Sequence, residues 1–301
     1  MDLSGTVVPM ATPTCRNRRA VDTDALERFT RQLVEGGVHG LFPCSSIGEF
    51  PSLTNEQNRR VVETVAATAD DTPVLAGCCD TSVDGVLDRI DAAETAGADG
   101  AVVVTPYYLG ATQNGLDRFF EAVADESGLP LFLYNIPPLT GNELGVDLVA
   151  SLADHDAVVG LKDTSGDLVY LQRVIESTPA NFRVFQGATE LATASLAVGA
   201  DGLIGGPANV FPEPLAELYE AHVRGDDATV RRLTRSVVFP LVSGYWDLPT
   251  AAAIKYLFEY GRFDIGDPLP PLAPLSAGER ERLESRYHTV SDAIDAGLAE
   301  Q

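Results

Sequence analysis

Short runs of aliphatic and β-branched residues alternate with longer stretches in which apolar residues recur every three or four positions, almost to residue 225. Eight of the short runs predict strands: GTVVPMAT (5–12), GVHGLFPCS (37–45), PVLAGCC (73–79), GAVVVTP (100–106), LPLFLYNIP (129–137), VVGLKDTS (158–165), FRVFQGA (182–188) and DGLIGG (201–206). A helical segment follows each. Between the third and fourth strands Val83, Val86, Leu87, Ile90 and Ala93 make one apolar stripe at helical spacing. The tetrapeptides GVHG, GADG and again GADG precede the second, fourth and eighth strands, supplying glycine where a helix must stop and a strand begin. Eight β/α units within about 225 residues predict an α/β fold, a (β/α)8 TIM barrel. A doubly wound sheet would carry a glycine-rich phosphate loop after its first strand, and VVPMATPT has none.

Beyond residue 225 the pattern changes. DDATVRRLTRSVVFPLVSGY, PTAAAIKYLFEYG and SAGERERLESRYHTVSDAIDAGLAEQ predict three helices, the last two separated by the proline-rich GDPLPPLAPLS. The expected organisation is a barrel over 1–225 and a C-terminal three-helix appendage over 226–301, too small and polar to stand as an independent domain.

Composition narrows the setting. The chain of 301 residues is 45% hydrophobic, enough for a large core, and contains no apolar run long enough to cross a membrane. The N-terminal MDLSGTVVPMATPT lacks the basic and long apolar regions of a signal peptide, so a cytoplasmic location is expected. Cys15, Cys44, Cys78 and Cys79 have no paired spacing and are expected as reduced thiols, and the four scattered histidines suggest no metal site. Forty-four acidic against twenty-one basic residues give a net charge of −23, which disfavours nucleic acid and anionic membranes as partners. An acidic docking face is one explanation. Acidity spread over many helices, with only two lysines, Lys162 and Lys255, points instead to a protein kept soluble in concentrated salt.

One of those lysines stands directly after the apolar run VVGL, where burying an ammonium is costly unless it is paired or neutral. Lys162 therefore has either a carboxylate partner, such as Asp163 or a nearby glutamate, or chemistry to perform. Lys255, in the helical TAAAIKYLFEYG, is expected to snorkel to solvent. Barrel chemistry sits at the C-terminal ends of the strands. Those ends read PCSSIGEF, TPYY, YNIPPLTG, KDTSGD, QGATE and GGPAN for strands two and four to eight.

Taken in order, SSIGE, TPYY, YNIPxxTG and GLKDTSGD resemble the pyruvate-dependent class I aldolases of the dihydrodipicolinate synthase and N-acetylneuraminate lyase family, across essentially the whole chain. The resemblance implies that Lys162 forms a Schiff base with a 2-oxo acid, needing no other cofactor. A class I aldolase needs a neutral amine for this attack, and a low-dielectric barrel interior favours that form. By the same resemblance Tyr134 relays protons between the Schiff base and the substrate hydroxyl. Tyr108, the second tyrosine of TPYY, enters a neighbouring subunit's active site, which implies a dimer at least; the family is often tetrameric, so a homotetramer built as a dimer of dimers is expected. Ser45 and Ser46, with the backbone amides of Ile47 and Gly48, hold the keto acid's carboxylate. Here the family often has two threonines before GE, and Ile47 replaces the second, so one hydroxyl contact is lost or passes to the backbone. A capping role for the serines is less expected, because Thr54 and Gln57 make a capping box for the following helix. Gly187 and Ile204 align with positions where backbone approaches the keto acid. Glu190 aligns with a residue that receives substrate hydroxyls in sialic acid lyases, though a solvent-facing helix start is an ordinary alternative.

Leu139 selects within the family. Dihydrodipicolinate synthases resemble YNxPxRTG, whose arginine binds the second substrate's carboxylate, and a leucine offers no such fork. The resemblance thus runs to a haloarchaeal 2-keto-3-deoxygluconate aldolase of the Entner–Doudoroff type, yielding pyruvate and glyceraldehyde, with the 6-phosphate as a second substrate form. A 2-keto-3-deoxy acid dehydratase, N-acetylneuraminate lyase and 4-hydroxy-tetrahydrodipicolinate synthase are rivals on the same lysine. A sugar-acid sensor that has kept the fold without catalysis is the non-enzyme alternative.

Overall fold

The computed structural model describes residues 1, 3–16 and 19–299. Eight parallel strands run β1 (Gly5–Pro9), β2 (Gly40–Phe42), β3 (Leu75–Gly77), β4 (Gly100–Val104), β5 (Leu131–Asn135), β6 (Val158–Asp163), β7 (Arg183–Gln186) and β8 (Gly202–Ile204). They hydrogen-bond in the order β2-β1-β8-β7-β6-β5-β4-β3. An isolated parallel bridge between Leu41 and Val74 brings the two ends of this sheet together. All eight predicted strands are present and the fold is a (β/α)8 barrel. Every residue of β1, β4 and β5 is buried, as strands covered on both faces require.

The helices around it are α1 (Thr23–Glu35), α2 (Asn55–Ala66), α3 (Val83–Thr95), α4 (Gln113–Glu126), the single turn α5 (Pro137–Thr140), α6 (Val146–Leu152), α7 (Leu168–Ser177), α8 (Ala192–Ala197) and α9 (Pro212–Val223). In α3 the stripe is realised with Val86, Ile90 and Ala93 fully buried and Val83 and Leu87 packed at its edge. Helix α2 starts on the capping box of Thr54 and Gln57, each side chain bonding the other's backbone N–H. Gly37, Gly97 and Gly199 all take positive φ, so the three G-x-x-G tetrapeptides end helices as the sequence suggests.

After α9 come α10 (Asp227–Leu233), a π-helical segment (Thr234–Val238), α11 (Phe239–Tyr245), α12 (Thr250–Gly261) and α13 (Ala277–Ala299). The first predicted C-terminal helix is thus a continuous run with a π segment just before Pro240, where the ring lacks an N–H and an α-helical bond is lost. The third is α13, and Glu300 and Gln301 of its predicted span lie outside the described residues. Val230, Leu241, Ile254, Leu283 and Val290 belong to the same contiguous apolar core as the barrel strands.

One expectation fails here. Lys255 does not reach solvent: it is 1% exposed, on an α12 whose residues Ala251–Lys255 are all buried. TAAAIKYLFEYG is apolar on nearly every side, so this helix has no wet face at position 255, and the ammonium is paired internally with Glu49 at 2.6 Å.

Candidate active site

A cavity of about 600 Å³ opens at the C-terminal ends of the strands, where barrel chemistry is expected. Lys162 and Tyr134 meet in it because of register. β5 and β6 pair Tyr134 directly with Lys162, so both side chains leave adjacent strands at one level and on one side of the pleat. Lys162 Nζ sits 4.0 Å from the Tyr134 ring centroid and 5.2 Å from that of Phe42. Lys162 is 4% exposed, and among the described residues neither its amine nor the Tyr134 hydroxyl has a hydrogen-bond or ion-pair partner.

Asp163 is not that partner. The next pair in the register, Asn135 and Asp163, points the other way, and Asn135 Nδ2 donates to Asp163 Oδ1 at 2.8 Å. Ser165 donates through Oγ to Asp163 Oδ2 at 2.8 Å, while Asn135 Oδ1 accepts from the Leu144 N–H. Burial raises the Asp163 carboxyl above its ordinary range, and the hydrogen bonds from Asn135 and Ser165 oppose that shift. This network fixes the ends of β5 and β6 from behind and leaves the amine facing the cavity.

Ser46, Ile47, Gly187, Glu190 and Ile204 line the cavity with the lysine and tyrosine. Ser45 and Tyr108 do not. Ser45 is buried beneath the loop, where its Oγ accepts from the Gly48 N–H at 3.1 Å. That bond also occupies the Gly48 amide, which the family resemblance assigns to the carboxylate. Tyr108 projects from the loop after β4, 95% exposed and with a φ of 76°, while Tyr107 lines a smaller neighbouring cavity of about 260 Å³. At Gly187 a Cβ would fall 2.0 Å from Thr164 Oγ1, so the close approach that requires glycine is made by the protein's own threonine.

Several lining residues escape sequence reasoning. Thr164 borders the cavity, and its buried hydroxyl has no hydrogen-bond partner among the described residues. Tyr245, Trp246 and Thr250 close the outer wall from α11, α12 and the turn between them. Burial and then the nearby Glu190 carboxylate push the Tyr245 phenol up, so it remains an O–H donor. Thr164 sits inside the quoted KDTS motif and Trp246 is the chain's one tryptophan. The C-terminal wall had no signal tying it to the barrel mouth. Apart from Lys162, no lysine, arginine or histidine lines the cavity among the described residues, and Glu190 is its carboxylate.

The four cysteines are free, and three of them are buried. Loss of hydration pushes Cys44 up to about 12 and Cys79 up to about 11, so these remain thiols and offer no competing thiolate nucleophile. Among the described residues no group of three or more histidine, cysteine or acidic side chains is gathered to hold a metal ion, and no helix is long and apolar enough to cross a membrane.

Comparison with known proteins agrees with this fold. The chain is 36% identical over 282 residues to 4-hydroxy-tetrahydrodipicolinate synthase of Acidiphilium cryptum, covering 93% of this chain and 96% of that protein. It is 33% identical over 299 residues to an uncharacterized DapA-like lyase of Halobacterium salinarum, covering 99% and 95%. Among solved structures, the Escherichia coli K12 prophage protein YagE in complex with pyruvate superposes with a TM-score of 0.91 at 29% identity, covering 96% and 98%. A monomeric dihydrodipicolinate synthase variant superposes at 0.92 with 26% identity, covering 96% and 97%. Residues 2–289 match the dihydrodipicolinate synthetase family. The chain therefore belongs to that family of lyases, class I aldolases that work on 2-oxo acids through a Schiff-base lysine.

Proposed function

We propose that this enzyme is a 2-keto-3-deoxy sugar acid aldolase, cleaving 2-keto-3-deoxygluconate to pyruvate and glyceraldehyde. The observation that carries the reading is the cavity lining: among the described residues it has one amine, several hydroxyls, one carboxylate and no further cation. A polyhydroxylated tail finds hydrogen-bond partners in Glu190, Tyr245, Thr164 and Thr250. A phosphate or a second carboxylate finds none of its usual arginine or lysine partners, and Glu190 repels it. The free sugar acid is accordingly favoured over its 6-phosphate.

In this reading Lys162 Nζ attacks the C2 carbonyl and loses water to give the Schiff base, which draws electrons from the C3–C4 bond. Tyr134 takes the proton of the C4 hydroxyl as that bond breaks, releasing glyceraldehyde and leaving the enamine of pyruvate. Protonation at C3 and hydrolysis return pyruvate and the free amine. Ser46 and the Ile47 amide receive the substrate carboxylate, with Gly187 and Ile204 bounding the keto acid. Tyr108 completes a neighbouring subunit's site in a homotetramer.

The names of the relatives favour a second reading, 4-hydroxy-tetrahydrodipicolinate synthase. One assay separates the two. The purified enzyme is given 2-keto-3-deoxygluconate, its 6-phosphate, or pyruvate with aspartate semialdehyde, and pyruvate release or consumption is followed. The expected result is the highest kcat/KM for the unphosphorylated sugar acid, together with a borohydride-reduced pyruvyl adduct at Lys162 by mass spectrometry. Faster condensation with the semialdehyde reverses the assignment. A dioxo acid instead of pyruvate makes it a dehydratase, and an adduct at Lys255 or none at all defeats the mechanism.

A further inference from the structure

Glu49 and Lys255 form the most deeply buried ion pair among the described residues, and the reaction above does not use it. Their side chains are 1% and 2% exposed, with Lys255 Nζ 2.6 Å from Glu49 Oε1. The other Glu49 oxygen accepts from the Leu269 N–H. Lys255 Nζ also donates to the Asp267 carbonyl at 3.1 Å and to Thr14 Oγ1 at 3.3 Å. The cluster therefore joins the loop after β2, the loop after β1, helix α12 and the connector between α12 and α13.

Its position relative to the cavity gives it meaning. Glu49 follows Ser46 and Ile47 in the loop read as the carboxylate cradle, and it holds a left-handed φ of 59°, a conformation uncommon for a residue with a Cβ. Lys255 lies one turn after Ala251, on the same side of α12, and Ala251 lines the cavity. Leu272, three residues beyond the Leu269 contact, lines it too. The pair thus spans two walls of the site directly behind their surfaces. A buried ion pair is seldom more stabilising than apolar residues of similar size, so stability alone accounts poorly for two charges here.

We propose that Glu49 and Lys255 are positioning residues: their ion pair sets the Ser46–Ile47 segment at the distance from the lysine and from α12 that a bound keto-acid carboxylate requires. The proposal rests on the reading of Ser46 and Ile47 as the carboxylate cradle.

The test measures pyruvate occupancy and so needs no knowledge of the second product. Pyruvate is titrated in the presence of cyanoborohydride, and the pyruvate concentration giving half the maximal initial rate of Lys162 adduct formation is read by mass spectrometry. The double variant Glu49→Gln, Lys255→Met removes both charges, leaving none unpaired, and keeps an acceptor for the Leu269 N–H. Glu49→Asp keeps both charges and shortens the arm by one methylene. In each variant that retains the wild-type circular dichroism, half-saturation is expected to rise, by about tenfold or more in the double variant. Full adduct should still form at saturating pyruvate. A purely structural pair would lower the thermal midpoint and leave half-saturation unchanged; that result in the folded variants overturns the proposal. Failure of the wild type to trap pyruvate at Lys162 overturns the reading of the site, and the positioning role with it.

Discussion

Leu139 stands at the rim between the main cavity and its smaller neighbour, 66% exposed. That exposure sets what an arginine would do there. A guanidinium would stay hydrated, so Leu139→Arg should leave the thermal midpoint nearly unchanged, within about 0.5 kcal/mol as for other surface substitutions. Its effect should fall on selectivity. One charge-assisted hydrogen bond is worth about 1.5–3 kcal/mol. The ratio of kcat/KM for aspartate semialdehyde over glyceraldehyde, measured in the condensation direction, should therefore rise by about tenfold or more. An unchanged ratio removes Leu139 from the specificity argument. Lys162 and Tyr134 were legible in the sequence because each ends a strand and sits in a recognisable motif, and strand register then brings them together. Lys255 departs from its sequence pattern for the converse reason. Its partner, Glu49, lies far away along the chain, and no local pattern marks a helix residue as paired with a distant loop.

Among the elements, the weakest seam of the barrel is between β2 and β3, joined by one bridge and by the Gly77 N–H bonding the Pro43 carbonyl at 3.0 Å. The chains approach so closely there that a Cβ on Gly77 would lie 2.0 Å from the Cys44 carbonyl oxygen, a backbone atom unable to rotate aside. Gly77→Ala should consequently destabilise by about 1–3 kcal/mol, the usual cost of overpacking. Gly110→Ala, where nothing lies within 4 Å, serves as its control. Thermal melting of the two proteins side by side checks this, and equal midpoints would mean that the seam is not under steric pressure. The eight strands were legible because buried parallel strands read as continuous apolar runs and helix stops need glycine. The turn α5 and the π segment were not. A single turn carries too few residues for a periodic signal, and the π segment answers a local proline rather than a pattern.

At the scale of the whole molecule, charge decides. Several arginines are held in local pairs, among them Arg59 with Glu56 and Glu63, Arg16 with Asp264, and Arg282 with Asp247. Exposed pairs of this kind contribute about 0–1 kcal/mol each and weaken with salt. Against them stands an excess of 23 carboxylates, the difference between 44 acidic and 21 basic residues, whose mutual repulsion salt also weakens. Because the unmatched charges outnumber the paired arginines, repulsion should dominate the balance. Screening should therefore stabilise both the fold and any contact between subunits that brings Tyr108 and Leu109, both exposed, against a second copy. The thermal midpoint, the activity and the sedimentation coefficient should all rise as KCl goes from about 0.1 M, where the Debye length is about 10 Å, to 1 M, where it is about 3 Å. Sedimentation at the higher salt should report a tetramer. A midpoint that is flat or falls across that range would mean that the arginine pairs outweigh the repulsion, and that the acidity serves a docking face rather than solubility in concentrated salt.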